Sequence, residues 1–223
     1  MPGLAIFDLD HTLLDGDSND LWAGFLAERG ALDKTAYDSA NARYTREYLD
    51  GSLDIFEYLR FTLEPLIDVP GEVRDGWLRD FIAGIIRPRI SHAARELLAE
   101  HRAAGDYLLV MTASNHLVTT PIGAELGVDE LLGSRARLAD GRATGEIDGT
   151  PCFRDGKVQR LRDWLAASGR ALAGSHFYSD SANDIPLLEL VERPVAVNPD
   201  RRLRAHAAER GWPTLRLRCR APA

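Results

Sequence analysis

The chain has 223 residues, 45% of them hydrophobic, with 34 acidic against 27 basic side chains and a formal net charge of −7. Such a composition gives a globular protein with one full core, or one domain carrying a large insertion. The acidic balance excludes a general nucleic-acid binder, and no apolar run approaches the roughly 18 residues that a membrane span needs.

The first segment, MPGLAIFDLD, has no basic n-region and no long apolar h-region, so it does not read as a signal peptide. A cytoplasmic, reduced protein is expected, because Cys152 and Cys219 are its only cysteines and form no metal spacing. Of the basic residues 25 are Arg, which makes the two lysines, Lys34 and Lys157, worth locating.

Leu4 to Phe7 predict a short buried strand, and Asp8 and Asp10 stand where it ends. Residues i and i+2 of a strand share a face, so the two carboxylates crowd and repel unless a cation or a proton intervenes. This is either a solvated strand end or a site built to hold a cation. Residues 17–87 then carry helical periodicity and no convincing strand, which predicts a helical insertion. From residue 90 the pattern alternates: a helix closed by Gly105, the strand YLLVMTAS, a helix around Pro121, and two short runs turned by Asp140-Gly141. The helix KVQRLRDWLAAS, the strand and acidic turn SHFYSDSAND, a further helix and the short strand PVAVNP follow.

Strands separated by helices predict an α/β fold with a doubly wound, mostly parallel, Rossmann-like sheet and an inserted all-helical cap domain. The expected division is a core of residues 1–16 and 88–223 with a cap of residues 17–87. Ligands in such folds bind outside the carboxyl ends of the strands. Those ends offer Asp8 and Asp10, then Thr112, then Asp180 followed by Asn183 and Asp184, with Lys157 opening the helix before the last of them. Hard oxygen ligands suit Mg²⁺, Thr and Lys suit a phosphate, and a carboxylate can serve as nucleophile toward phosphorus.

In this order the segments DLDHT, VMTAS, RDGKV and SDSANDIPLL resemble the four motifs of the haloacid dehalogenase superfamily of phosphatases, with a helical cap between the first and the second. The arrangement is similar to the phosphoserine-phosphatase-like branch, which includes histidinol-phosphate phosphatases. The resemblance implies that Asp8 is the nucleophile and Asp10 the acid and base. It implies Mg²⁺ held by Asp8, Asp10 and Asp180, with Asn183 and Asp184 ordering those ligands. It further implies that Thr112, Lys157 and the Ala113 N–H hold the phosphate. One departure is Ser179 before Asp180, where the family often has Gly.

The substrate implied is a small phosphorylated metabolite, with neither nucleic acid nor membrane as a partner. Asp17 has two readings: a helix N-cap, or an anion that selects an aminated ester of the histidinol phosphate or phosphoserine type. Arg43, Arg46 and Arg60 are either a solvated face or substrate clamps. Trp22, Phe25, Tyr44, Tyr48, Phe56 and Tyr58 read as cap core, and His11 as a bystander. A phosphotransferase shares the first half-reaction. A receiver domain also uses acids, Thr and Lys, but at about half this length and without use for an acid and base at Asp10.

Overall fold

The structure is a computed structural model that describes residues 3–217; Cys219 lies outside the described residues. At its centre β1 (Leu4–Phe7) is apolar and buried throughout, the composition of a strand covered on both faces. It pairs in parallel with β2 (Tyr107–Asn115) on one side and β5 (His176–Ser179) on the other. β3 (Glu130–Ala139), β6 (Arg193–Val197) and β7 (Thr214–Leu215) extend the sheet in parallel. Among the described strands only β4 (Arg142–Asp148) runs antiparallel, at one edge. The order β4-β3-β2-β1-β5-β6-β7 puts β1 between strands whose connections leave in opposite directions. That is the switch point at which such sheets open a crevice.

Alternation along β1 divides the core. Ala5 and Phe7 face the layer of α5 (His92–Ala103) and α6 (His116–Leu126), packing with Leu98 and Ile122. Leu4 and Ile6 face α7 (Asp155–Ser168), α8 (Ile185–Leu188) and α9 (Arg201–Arg210), packing with Leu161, Leu188 and Leu203. The α/β reading of the sequence holds, and no helix among the described residues is long and apolar enough to cross a membrane.

The stretch after β1 is helical, as its periodicity predicts: α1 (Ser18–Glu28), α2 (Lys34–Asp50), α3 (Ile55–Leu63) and α4 (Gly71–Phe81). Trp22, Phe25, Leu66 and Phe81 belong to the same buried cluster as Phe7, so the insertion is welded to the sheet layer. A smaller cluster joins Tyr44 and Leu53 of the insertion to Phe153, just before α7. Past α4 the chain runs through a π turn, Ile82–Ile86, into a 3₁₀ turn, Arg87–Arg89. Pro88 sits in the first turn of that element, where a missing N–H costs nothing. β7 is missed by periodicity because two residues show no period.

Asp140 and Gly141, with φ of 50° and 78°, make the tight turn between β3 and β4. This hairpin leans on the insertion: the Arg74 guanidinium donates to the Gly141 carbonyl at 3.1 Å, and Ile67 bridges to Ala143.

Candidate active site

Hydrogen bonding carries β1 one residue past its apolar run, because the Asp8 N–H donates to the Tyr178 carbonyl at 2.8 Å. His11 then takes a left-handed φ of 57°, and the N–H groups of Leu13 and Leu14 fold back onto the Leu9 carbonyl. The turn leaves Asp8 buried and Asp10 above it, at the carboxyl ends of β1, β2 and β5.

Lys157 is the cation of the site. Its helix α7 starts after Arg154, a residue at φ 50°, and Gly156 sits where a Cβ would lie 2.4 Å from the Pro151 carbonyl oxygen. That close approach delivers Lys157 inward at 2% exposure, with Nζ 3.0 Å from Asp8 Oδ1 and 2.8 Å from Asp184. Burial alone would lower the Lys157 pKa, but Asp184 and Asp8 hold it well above its usual value, so it stays charged. Asp184 is itself fixed by the Ser179 hydroxyl at 2.7 Å. The Ser that replaces the more usual Gly before Asp180 therefore has a definite partner.

Asp10 is held from three directions. Its Oδ1 accepts the Ser18 N–H at 2.7 Å, and its Oδ2 accepts the Ser114 hydroxyl at 2.8 Å and the Thr112 hydroxyl at 3.4 Å. Thr112 also accepts the Ser114 N–H at 3.1 Å. Asp180 meets the Thr12 hydroxyl only at 3.5 Å. Burial, with the charges of Asp8, Asp184 and Asp10 added, pushes its carboxyl well above the usual range. Burial is also the main cause that raises Asp8 to about 7, partly offset by Lys157.

These charges test whether a cation fits. Asp8, Asp10, Asp180 and Asp184 converge on a cavity in which, among the described residues, Lys157 is the only Lys or Arg. Four carboxylates against one ammonium is a donor set short of positive charge. Hard oxygens in excess of cations suit Mg²⁺, so the residues fit the metal that the motif order implies. Asn183, expected beside the metal, accepts from Arg154 Nε at 2.9 Å and donates to the Tyr48 carbonyl at 3.4 Å.

The cavity holds about 250 Å³ between the sheet and the insertion. Asp17 and Ala113 line it, whereas Arg43, Arg46 and Arg60 do not. Those three are exposed on the outer sides of α2 and α3, where Arg43 pairs with Glu47 and Glu57, so as substrate clamps they are corrected. The expectation that the aromatics are all core is also corrected. Trp22 and Phe25 are buried core, and Phe56 is exposed. Tyr44, Tyr48 and Tyr58 line the cavity together with Phe153. His11 lines it as well.

Asn19 escapes the sequence reading altogether. Its amide donates to Ser114 Oγ at 3.1 Å and to Tyr58 Oη at 3.2 Å, tying the first helix of the insertion to β2. Ser181, too, escapes it: Tyr48 donates to its hydroxyl at 2.7 Å and closes α2 onto the loop after β5. Asn19 sits two residues after Asp17, but an amide in a helical pattern gives no sign of its partner. Asp17 does cap α1, its Oδ1 accepting the N–H groups of Asn19 and Asp20. Burial and then the charge of Asp10 push its carboxyl well above the usual range.

Similarity to known proteins agrees with this geometry. The family model of haloacid dehalogenase-like hydrolases matches residues 5–189. The chain is 41% identical over 222 residues to a histidinol-phosphatase of Neisseria meningitidis, covering 98% of this chain and all of that one. It is 32% identical over 219 residues to a phosphoserine phosphatase of Mycobacterium tuberculosis, covering 93% of this chain and 68% of that protein. Among solved structures, a Bordetella pertussis protein of unknown function superposes with a TM-score of 0.90 at 42% identity, over 97% of this chain and 99% of that one. A substrate-bound phosphoserine phosphatase superposes at 0.70 and 21% identity, over 98% of this chain and 95% of that one, which speaks for the fold alone. Four motifs at the strand ends, a family match across most of the chain and a relative of 41% identity from end to end agree: this chain belongs to the haloacid dehalogenase-like hydrolases and is an enzyme of their phosphatase branch.

Proposed function

We propose that the chain is a cytoplasmic, Mg²⁺-dependent phosphomonoester hydrolase for a small aminated metabolite of the histidinol phosphate type, working through a phosphorylated Asp8. The observation that carries the chemistry is the buried Asp8–Lys157 pair, 3.0 Å apart, with Asp10 two residues on and fixed by Ser18 and Ser114. Residues 17–87 act in this reading as the cap that closes the cavity.

An oxygen of Asp8 attacks phosphorus, and the ester P–O bond breaks. Asp10 gives its proton to the leaving alkoxide. It then takes a proton from the water that attacks phospho-Asp8, and the bond between phosphorus and Asp8 breaks to release inorganic phosphate. Lys157, Thr112 and the Ala113 N–H hold the charge that gathers on the phosphoryl oxygens. Asp8, the Asp10 carbonyl and Asp180 would hold Mg²⁺, which when bound supplies charge neutralisation at the phosphate. Asp184 and Asn183 support this set, the first by fixing Lys157.

The rest of the cavity supports the substrate class. Asp17 and Asp20 face it without a basic side chain beside them in its lining. Tyr44, Tyr48, Tyr58 and Phe153 make an aromatic wall. A half-buried carboxylate beside aromatic faces suits an ammonium group and a flat ring. Among the described residues a substrate carboxylate finds no Lys or Arg there other than Lys157, which Asp8 and Asp184 already occupy. An amine without a carboxylate therefore fits better than phosphoserine. The full-length likeness to a histidinol-phosphatase supports the same choice.

The test is kcat/KM in Mg²⁺ for histidinol phosphate, phosphoserine and glycerol phosphate. The expected order is that order, with histidinol phosphate ahead of glycerol phosphate by a factor of about 10 or more, the value of one charge-assisted bond. Equal efficiencies overturn the substrate class. Transfer of the phosphoryl group to added glycerol in place of water overturns the hydrolase.

A further inference from the structure

A second cluster of metal-ligating side chains lies at the other end of the sheet. His101 closes α5, Asp106 immediately precedes β2, and His176 opens β5. One ring nitrogen of each histidine and one oxygen of Asp106 all lie within 4.8 Å of one another. β1 separates this cluster from Asp8 by its whole length, about 13 Å at 3.3 Å per residue. Catalysis uses none of the three residues.

Hydrogen bonding accounts for part of the cluster and leaves part open. Asp106 Oδ1 accepts the Gly3 N–H at 2.8 Å, and Oδ2 lies 2.7 Å from His101 Nδ1. His101 Nε2 lies 2.8 Å from the Tyr178 hydroxyl. The two imidazoles meet edge to face, 4.8 Å between centroids. His176 Nδ1, by contrast, is buried with no hydrogen-bond partner among the described residues. Its other nitrogen meets only the Arg193 guanidinium, at 3.5 Å on the exposed side. A buried ring nitrogen left over beside a carboxylate and a second imidazole is a group that still lacks a partner.

We propose that His101, Asp106 and His176 form a structural site for a late first-row divalent cation such as Zn²⁺, distinct from the catalytic Mg²⁺. Two imidazoles and a carboxylate suit Zn²⁺ and not Mg²⁺. In the bound form His101 takes the metal through Nδ1, and its Nε2–H donates to the Tyr178 oxygen, the outer partner that a ligating histidine requires. His176 takes the metal through Nδ1 and carries its proton on Nε2, from which the exposed Arg193 side chain turns away. The ion then ties the end of α5 to the starts of β2 and β5, next to the start of β1.

The experiment compares the wild-type protein with His176→Ala, Asp106→Asn and Asp180→Asn. Each is dialysed against micromolar Zn²⁺ in millimolar Mg²⁺ and assayed for zinc per chain. Wild type and Asp180→Asn are expected to keep one equivalent, and His176→Ala and Asp106→Asn to lose it. Zn²⁺ at about 100 times its Kd should raise Tm by roughly 5–10 °C in wild type and not in His176→Ala. Co²⁺ added to wild type alone should give visible absorption of a histidine-ligated ion at pH 7.5 that fades by pH 5.5, as the imidazoles protonate. The proposal is overturned if zinc is retained equally by wild type and His176→Ala, if its loss follows Asp180→Asn, or if wild type keeps none and shows no Co²⁺ band.

Discussion

At the scale of single residues, Asp8, Asp10 and Asp17 are three carboxylates in one loop with three environments. Asp8 faces Lys157, Asp10 is held by two hydroxyls and an N–H, and Asp17 caps a helix beside the cavity. Asp8→Asn keeps the shape and loses the oxygen proposed to attack phosphorus, so turnover is expected to fall by several orders of magnitude. Thermal melting should change by no more than a few degrees, because relief of a desolvated charge repelled by Asp184 and Asp10 offsets the lost pairing with Lys157. Residual activity above a few per cent of wild type would exclude covalent catalysis at Asp8. Asp17→Asn separates the two roles of that residue, since Asn caps a helix about as well as Asp. Stability should hold, and the preference for histidinol phosphate over glycerol phosphate should drop by about 1–3 kcal/mol, read as a ratio of kcat/KM values. A lower Tm with an unchanged ratio would leave Asp17 as a cap alone.

Elements place these residues through a few tight contacts. α7 delivers Lys157 only because Gly156 lets its first turn press against the Pro151 carbonyl. In Gly156→Ala the added methyl must push the helix start away, carrying Lys157 Nζ away from Asp8. A displacement of that order costs about 10²-fold in rate, whereas Asp155→Ala, exposed in the same turn, should leave kcat unchanged. Steady-state kinetics on the pair decides whether the packing of α7 sets the lysine. α4 performs a similar service for the insertion. Phe81 is fully buried, 5.0 Å from Trp22 and 5.4 Å from Phe25 between ring centroids. Phe81→Ala is expected to destabilise by about 3–5 kcal/mol, measured by denaturant unfolding, with KM raised as the cavity wall loosens.

For the whole molecule, the carboxylate cavity makes stability depend on pH and on cations together. Burial raises Asp8 to about 7 and raises Asp17 and Asp180 as well. In the unfolded chain the same groups titrate near 4. Between about pH 4 and 7 the folded state therefore keeps protons that the unfolded state has released, and stability falls as pH rises. Carboxyls shifted the other way, such as Asp106 beside His101 and Gly3, lose their contribution only in more acid solution. His116 and His176, lowered by burial, act in the opposite direction below about pH 6.5, but three carboxyls raised outweigh two imidazoles lowered, and the protein in chelator is expected to melt higher at pH 5 than at pH 7.5. Mg²⁺ should raise Tm markedly at pH 7.5 and little at pH 5, because protonated acids offer it no charge. Calorimetry that shows equal Mg²⁺ shifts at both pH values would separate the metal from these carboxylates.

The sequence by itself determined the alternation of the sheet, the helical insertion and the polar residues at the strand ends. Burial forces Leu4–Phe7 and the run before Thr112 to be apolar, and helices advertise themselves by a repeat that outlasts local noise. Lys157 was legible because lysine is scarce here and this one precedes an acidic turn. Only the tertiary structure decided which insertion side chains face the cavity. Tyr44, Tyr48 and Tyr58 share the helical spacing of core aromatics, and it is the packing of α3 on β2 and of α2 on Phe153 and Ser181 that turns them into the cavity. Arg43 was drawn outward by Glu47 and Glu57, one of them on another helix. Asn19 found Ser114 across 95 residues of chain. Contacts of this kind leave no local period, because their cause is the packing of distant segments, whereas a strand end or a helix face is set by its immediate neighbours.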